Sequence, residues 1–131
     1  MLACIDPRFQ EPLHAYLAQR GLTARCSQFT IAGAAIAVIA PDFAHWREAF
    51  WDNLAVSVQL HRITRVIAID HRGCGAARIA YGAERIANRG SENETHRAVF
   101  AEFRKQAAER QPALVVETGL MALDGSVMMF K

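Results

Sequence analysis

The sequence predicts an α/β domain with a mainly parallel central sheet flanked by helices. Three observations carry this expectation. Short runs rich in β-branched and apolar residues, such as RVIAID at 65–70 and ALVVETG at 113–119, have the length of strands. Between the strands lie longer stretches in which apolar residues recur three or four apart, the period of a helix packed on one face. Strands that alternate with helices in this way are joined by right-handed crossovers, which leave neighbouring strands parallel.

Taken in order, Leu2 to Ile5 reads as a short buried strand, closed at Asp6-Pro7 because proline has no donor for a ladder. A helix is expected from about Pro12 through Leu13, Tyr16 and Leu17, with Gly21 as its left-handed cap. The next strand falls near Gln28 to Ala32. After the small residues around Gly33, Pro41-Asp42 opens a long amphipathic helix along Phe43, Trp46, Phe50, Leu54 and Val58, ending near His61. RVIAID is the third strand and delivers His71 to its carboxyl end, and Gly73 and Gly75 permit a tight turn around Cys74. A short helix follows from about Ala76. Ser91 and Glu94 then form a capping box for a helix to about Arg110, with Phe100 and Phe103 facing inward. ALVVETG is the next strand, and MALDGSVMMF reads as a hairpin-like finish turning at Asp124-Gly125.

Composition bounds the function classes. The 131 residues form one domain, and no apolar run approaches the roughly 18 residues needed to cross a bilayer, although 52% of the chain is hydrophobic. MLACID has no basic stretch followed by an apolar one, so a cytoplasmic protein is expected. Three cysteines make an odd number for a disulfide framework, which leaves thiols for metal or chemistry. A net charge of +2, with basic and acidic residues interleaved, argues against nucleic acid as a partner. The apolar segment IAGAAIAVIA and the helix after it predict a surface covered by another copy, hence a homodimer or larger assembly.

Two segments hold the chemistry. Cys4, His71 and Cys74 are a borderline-soft nitrogen and sulfur set suited to Zn2+, and three protein ligands leave a fourth position for water or substrate. His71 and Cys74 have the short H-x-x-C spacing, and glycines let both face one ion. Asp6 and Arg8 follow Cys4 at two-residue intervals, so in extended geometry they share its face. A carboxylate held by a guanidinium stays ionised and accepts a hydrogen bond from water on the metal. Released by Arg8, Asp6 would instead take the fourth zinc position.

The ordered pair CIDPR and HRGCGA, both at predicted strand ends, resembles the β-class carbonic anhydrases, whose signatures are C-x-D-x-R and H-x-x-C-G. The likeness extends through SQFTIAGAA, similar to the family's second-strand segment, and ETGLMALDG, similar to its terminal strands. The resemblance implies zinc held by Cys4, His71 and Cys74, with Asp6 and Arg8 orienting its hydroxide for hydration of CO2. It also admits Phe29 and Gly75 as lining of a small substrate pocket. The same scaffold hosts hydrolases of carbonyl sulfide or carbon disulfide, which is the alternative activity. A non-catalytic zinc module closed by Asp6, or a metal-free thiol protein, is the reading outside catalysis.

Departures from the family pattern are specific. Pro7 stands where the family has Ser, removing a hydroxyl and a backbone donor; Ala32 to Ala35 lacks the family's polar run; and Asp70 stands where Gly is frequent. The family's helical arm before the first motif is not expected ahead of Cys4. Plainer readings exist residue by residue. Cys4 alone is a core thiol, Asp6 and Arg8 an ion pair at a helix start, Phe29, Trp46, Phe50 and Trp51 packing, Arg72 a surface residue, and Cys26 an edge of the core. His14, His45, His61 and His96 fall on helices and are expected to be solvated or half-buried.

Overall fold

An apolar run without polar alternation marks a strand covered on both faces, and in RVIAIDH every residue from Val66 to His71 is buried. In the computed structural model, which describes residues 1–131, this segment is β3 (Arg65–His71), the middle strand of one sheet. The others are β1 (Leu2–Ala3), β2 (Phe29–Thr30), β4 (Val115–Met121) and β5 (Val127–Phe130), in the order β2-β1-β3-β4-β5. All pairings are parallel except β4 with β5. The α/β class and mainly parallel sheet are therefore as expected. The closing hairpin turns at Asp124-Gly125, where Gly125 has φ +89° and the Asp124 carboxylate accepts from the Ser126 N–H.

The helix α1 (Pro7–Gln19) begins five residues before the expected start at Pro12, which lies inside it. Pro7 occupies the first helical position, where its missing N–H would have had no intrahelical partner, and Asp6 caps the helix by accepting from the Arg8 N–H at 3.0 Å. Asp6 and Arg8 thus do not share the face of an extended strand. They meet because one caps the turn that contains the other. The far end closes as expected at Gly21, φ +65°, with Leu22 N–H bonded to the Leu17 carbonyl and Gly21 N–H to that of Ala18.

A short helix absent from the sequence expectations, α2 (Ala35–Ile39), follows Gly33. Ala34, Ala35, Ile36 and Ala37 are wholly buried against neighbouring elements of the same chain. This corrects the expectation that IAGAAIAVIA forms a surface for a second copy: its small side chains let backbone pack closely within one molecule. Gly33 shows how closely, because a Cβ there would lie 2.9 Å from that of Ala76 on a backbone with φ +90°. A 3-10 turn, Pro41–Phe43, leads into α3 (Ala44–His61), which buries Phe50, Trp51 and Leu54.

After β3 come α4 (Gly75–Tyr81) and the long α5 (Arg89–Arg110). The cap of α5 is Asn88, not Ser91; Asn88 Oδ1 accepts from the N–H groups of Gly90 and Ser91, and Ser91 returns a bond to the cap backbone. Phe100 and Phe103 are fully buried as expected, in a core shared with Leu2, Phe9, Ile69 and Leu120. No helix is long and apolar enough to cross a membrane.

Candidate metal centre

The two chemical segments meet because β1 and β3 are parallel neighbours, so their carboxyl ends lie side by side. The chain leaves β1 for β2 on one flank and returns to β3 on the other, creating the crevice where open α/β sheets bind ligands. Cys4 directly follows β1 and His71 ends β3. Gly73, with φ +65°, reverses the backbone so that Cys74 becomes the cap residue of α4.

One donor atom each from Cys4, His71 and Cys74 lie within 4.8 Å of one another, and all three residues are buried. His71 Nδ1–H donates to the Arg72 carbonyl at 2.9 Å, which leaves Nε2 as the nitrogen with a lone pair. That atom is buried without a nitrogen or oxygen partner; the Cys4 sulfur faces it, and Asp6 Oδ2 lies 3.7 Å away. A buried lone pair with no donor is costly unless something electrophilic meets it. The ring itself is fixed by stacking on Phe9, centroids 5.1 Å apart.

The thiols divide one proton between them. Cys4 is drawn down to about 4, first by its hydrogen bond with Cys74 and then by His71 and the N–H groups of Gly33 and Asp6. Gly33 N–H reaches Cys4 Sγ at 3.2 Å. Cys74 is pushed upward, by the same bond with Cys4 and by burial. The opposite directions describe a pair in which the first thiolate forms readily and opposes the second. A divalent cation would resolve the conflict by stabilising both. Two thiolates and one imidazole with a carbonyl-anchored second nitrogen fit a tetrahedral zinc-type site with one position left over.

Beside this cluster, Arg8 Nε donates to Asp6 Oδ1 at 3.1 Å and Nη2 to Oδ2 at 2.6 Å. Asp6 falls to about 2, first because of the Arg8 hydrogen bond. Arg8 Nη2 also reaches the Gly73 carbonyl at 3.4 Å, which ties the first segment to the second. The Asp6 side chain is 15% exposed and that of Arg8 57%, so the pair stands between the buried donors and solvent.

Several supporting residues were invisible in the sequence. Glu92 accepts from Arg72 Nη1 at 2.9 Å and from Gly73 N–H at 2.7 Å, and Asn93 takes Arg72 Nη2 at 2.8 Å. Arg72 is therefore not the expected surface residue but a strap across the turn between His71 and Cys74. Asp70 Oδ1 accepts from Ala35 N–H at 2.9 Å, while Oδ2 lies 2.8 Å from His96 Nδ1. Both are fully buried, which corrects the expectation of a solvated or half-buried His96. Burial pushes the Asp70 carboxyl upward against the pull of these two bonds. By fixing Ala35, Asp70 holds the turn from which Gly33 reaches Cys4.

The remaining candidates separate. Gly75, the first residue of α4, adjoins Cys74 and has open space at its Cβ position. Phe29 packs edge-on against Phe50, centroids 5.6 Å apart, and lines a cavity at the amino ends of β1 and β3, away from the cluster. Cys26, half-buried, borders the same cavity. Trp46 stacks on Phe43, and Trp51 packs with Phe50 and Phe103. His14, His45 and His61 are exposed.

The model of a family described as "Putative carbonic anhydrase" matches residues 1–100, a span that includes both ligand segments. An uncharacterized protein of Rickettsia bellii (strain RML369-C) is 31% identical over 127 residues, 97% of this chain and 77% of the relative. An uncharacterized protein of Rickettsia conorii (strain ATCC VR-613 / Malish 7) is likewise 31% identical over 127 residues, 97% of this chain and 68% of the relative.

Proposed function

The chain belongs to this carbonic anhydrase family, and from that premise we propose that it is a zinc lyase catalysing the reversible hydration of CO2 to bicarbonate and a proton. The observation that carries the reading is the buried Cys4, His71 and Cys74 donor set, with His71 Nε2 lacking a nitrogen or oxygen partner beside a carboxylate that Arg8 holds. These three residues would hold the ion. When bound, Zn2+ would supply Lewis acidity that brings the pKa of a water down toward about 7.

The protein's own groups supply the rest. Asp6, anionic through Arg8, accepts a hydrogen bond from the attacking water and turns a lone pair toward the carbon of CO2. It is no proton store, because the Arg8 hydrogen bond holds the carboxyl at about 2 and it stays ionised at pH 7. Arg8 occupies both Asp6 oxygens, which keeps the carboxylate off the metal and favours an open site over a closed structural one. The Arg72 carbonyl fixes the His71 tautomer, and Glu92 fixes Arg72. Pro7 removes no needed donor, because its nitrogen sits at the first helical position.

Stopped-flow CO2 hydration by the zinc-loaded protein tests the proposal, with a rate well above buffer expected. A rate equal to buffer would overturn it, and sulfide release from carbonyl sulfide or carbon disulfide would assign those analogues instead. Cytoplasmic location and self-association belong to the same proposal, the second supported by Ile5, which is 59% exposed beside the site, and Ile79, 70% exposed on α4. Sedimentation that shows only monomer at all concentrations would remove the assembly.

A further inference from the structure

β3 runs from one distinctive place to another. His71 ends it at the metal centre, and six residues earlier, roughly 20 Å away at about 3.3 Å per residue, Arg65 borders a cavity of about 390 Å³. The inner wall of that cavity is apolar, built by Phe29, Phe50, Leu54 and Ile67. Its exposed rim carries Arg25, Arg62, Arg65 and His61, and no aspartate or glutamate lines it. Arg65 is already paired with Glu117 at 3.0 Å. The guanidiniums of Arg25 and Arg62 take part in none of the molecule's ion pairs.

We propose that this cavity binds a small amphipathic carboxylate, its apolar chain or ring against Phe29 and Phe50 and its anionic head at Arg25 and Arg62. The volume lies in the range of small-molecule sites, and an apolar wall with a few convergent polar groups is their usual composition. Each half of the lining selects against a different ligand. A neutral apolar molecule gains nothing from the two rim guanidiniums, whereas a compact inorganic anion leaves the aromatic wall wet. A carboxylate with an apolar body satisfies both, and guanidinium accepts it through two parallel hydrogen bonds. Asn53 and Ser57, on the α3 side of the lining, offer further donors to the head group.

Octanoate, with octan-1-ol as its uncharged counterpart, tests this on the zinc-loaded full chain followed by amide NMR. The expected result is saturable shifts centred on Asn53, Ser57, Arg62 and Ile63, with octanol at least tenfold weaker. Arg62→Gln is expected to weaken octanoate by about tenfold, the loss of one charged hydrogen-bonding partner, and to leave octanol unchanged. Ser57→Trp, which takes up part of the cavity, is expected to weaken octanoate and octanol alike while zinc content stays the same. No shifts at these residues, equal binding of acid and alcohol, or shifts confined to Ile5 to Arg8 and Arg72 to Cys74 would each overturn the proposal; the last would mark simple anion binding at the metal.

Discussion

Asp6 and Asp70 are two aspartates, one two residues after Cys4 and the other one residue before His71, and their surroundings make them opposites. Asp6 stands at the mouth of the site, held by Arg8 and lowered to about 2. Asp70 is buried behind it, bonded to Ala35 and His96, and pushed upward by desolvation. The difference teaches which carboxylate is available for chemistry and which holds structure. An oxygen that faces solvent and a guanidinium can be offered to a reacting water. One sealed between a helix N–H and an imidazole can only hold its neighbours in place.

Mutation should therefore split stability from activity. Asp70→Ala leaves His96 and Ala35 N–H buried without their partner, and urea denaturation should show a loss of about 3 kcal/mol. An Asp70→Ala protein as stable as wild type would erase the contrast. Asp6→Asn keeps a capping oxygen and should change stability by less than about 1 kcal/mol, yet lower CO2 hydration by about 100-fold at unchanged zinc content. Equal activity in Asp6→Asn would make the carboxylate a cap and nothing more.

Smaller effects sharpen the same division. Glu92→Gln loosens Arg72 and Gly73 without touching a ligand, and zinc affinity measured by chelator competition should fall by about tenfold. Glu117 gives a control away from the Cys4, His71 and Cys74 cluster, since Arg20 and then Arg65 hold its pKa below the ordinary value. A lowered folded pKa means stability that is present above the unfolded value, near 4.3, and lost as pH falls through the folded one. Glu117→Gln should accordingly cost at most about 1 kcal/mol at pH 7, and the difference from wild type should shrink as denaturation is measured at successively lower pH.

The meeting of Cys4, His71 and Cys74 was legible because these side-chain types are rare and Cys4 and His71 each end a strand-like run. Asp6 and Arg8 were legible for a reason that proved different: an i, i+2 spacing suits a helix cap and its first turn as well as a strand face. Two prolines, Pro7 and Pro12, both fit a helix start, and only the packed structure shows that Pro7 occupies it. The helix α2 has five residues, too few for a 3.6-residue period to register. Glu92 and His96 were out of reach altogether, because each meets its partner from about 20 or more residues away, across the fold. The alternation of long elements and the turn residues gave the parallel sheet and its closing hairpin; the straps that hold the site leave no local pattern.

The capping bond between Asp6 and Arg8 N–H has a consequence for timing. If Asp6 were to swing inward onto the ion, it would abandon two guanidinium bonds and the cap together, and the opening turn of α1 would fray with it. Opening and closing of the site would then leave a trace in the backbone. Hydrogen–deuterium exchange at Arg8 and Phe9 would act as its clock, slow while Asp6 is held and quickening in step with each departure.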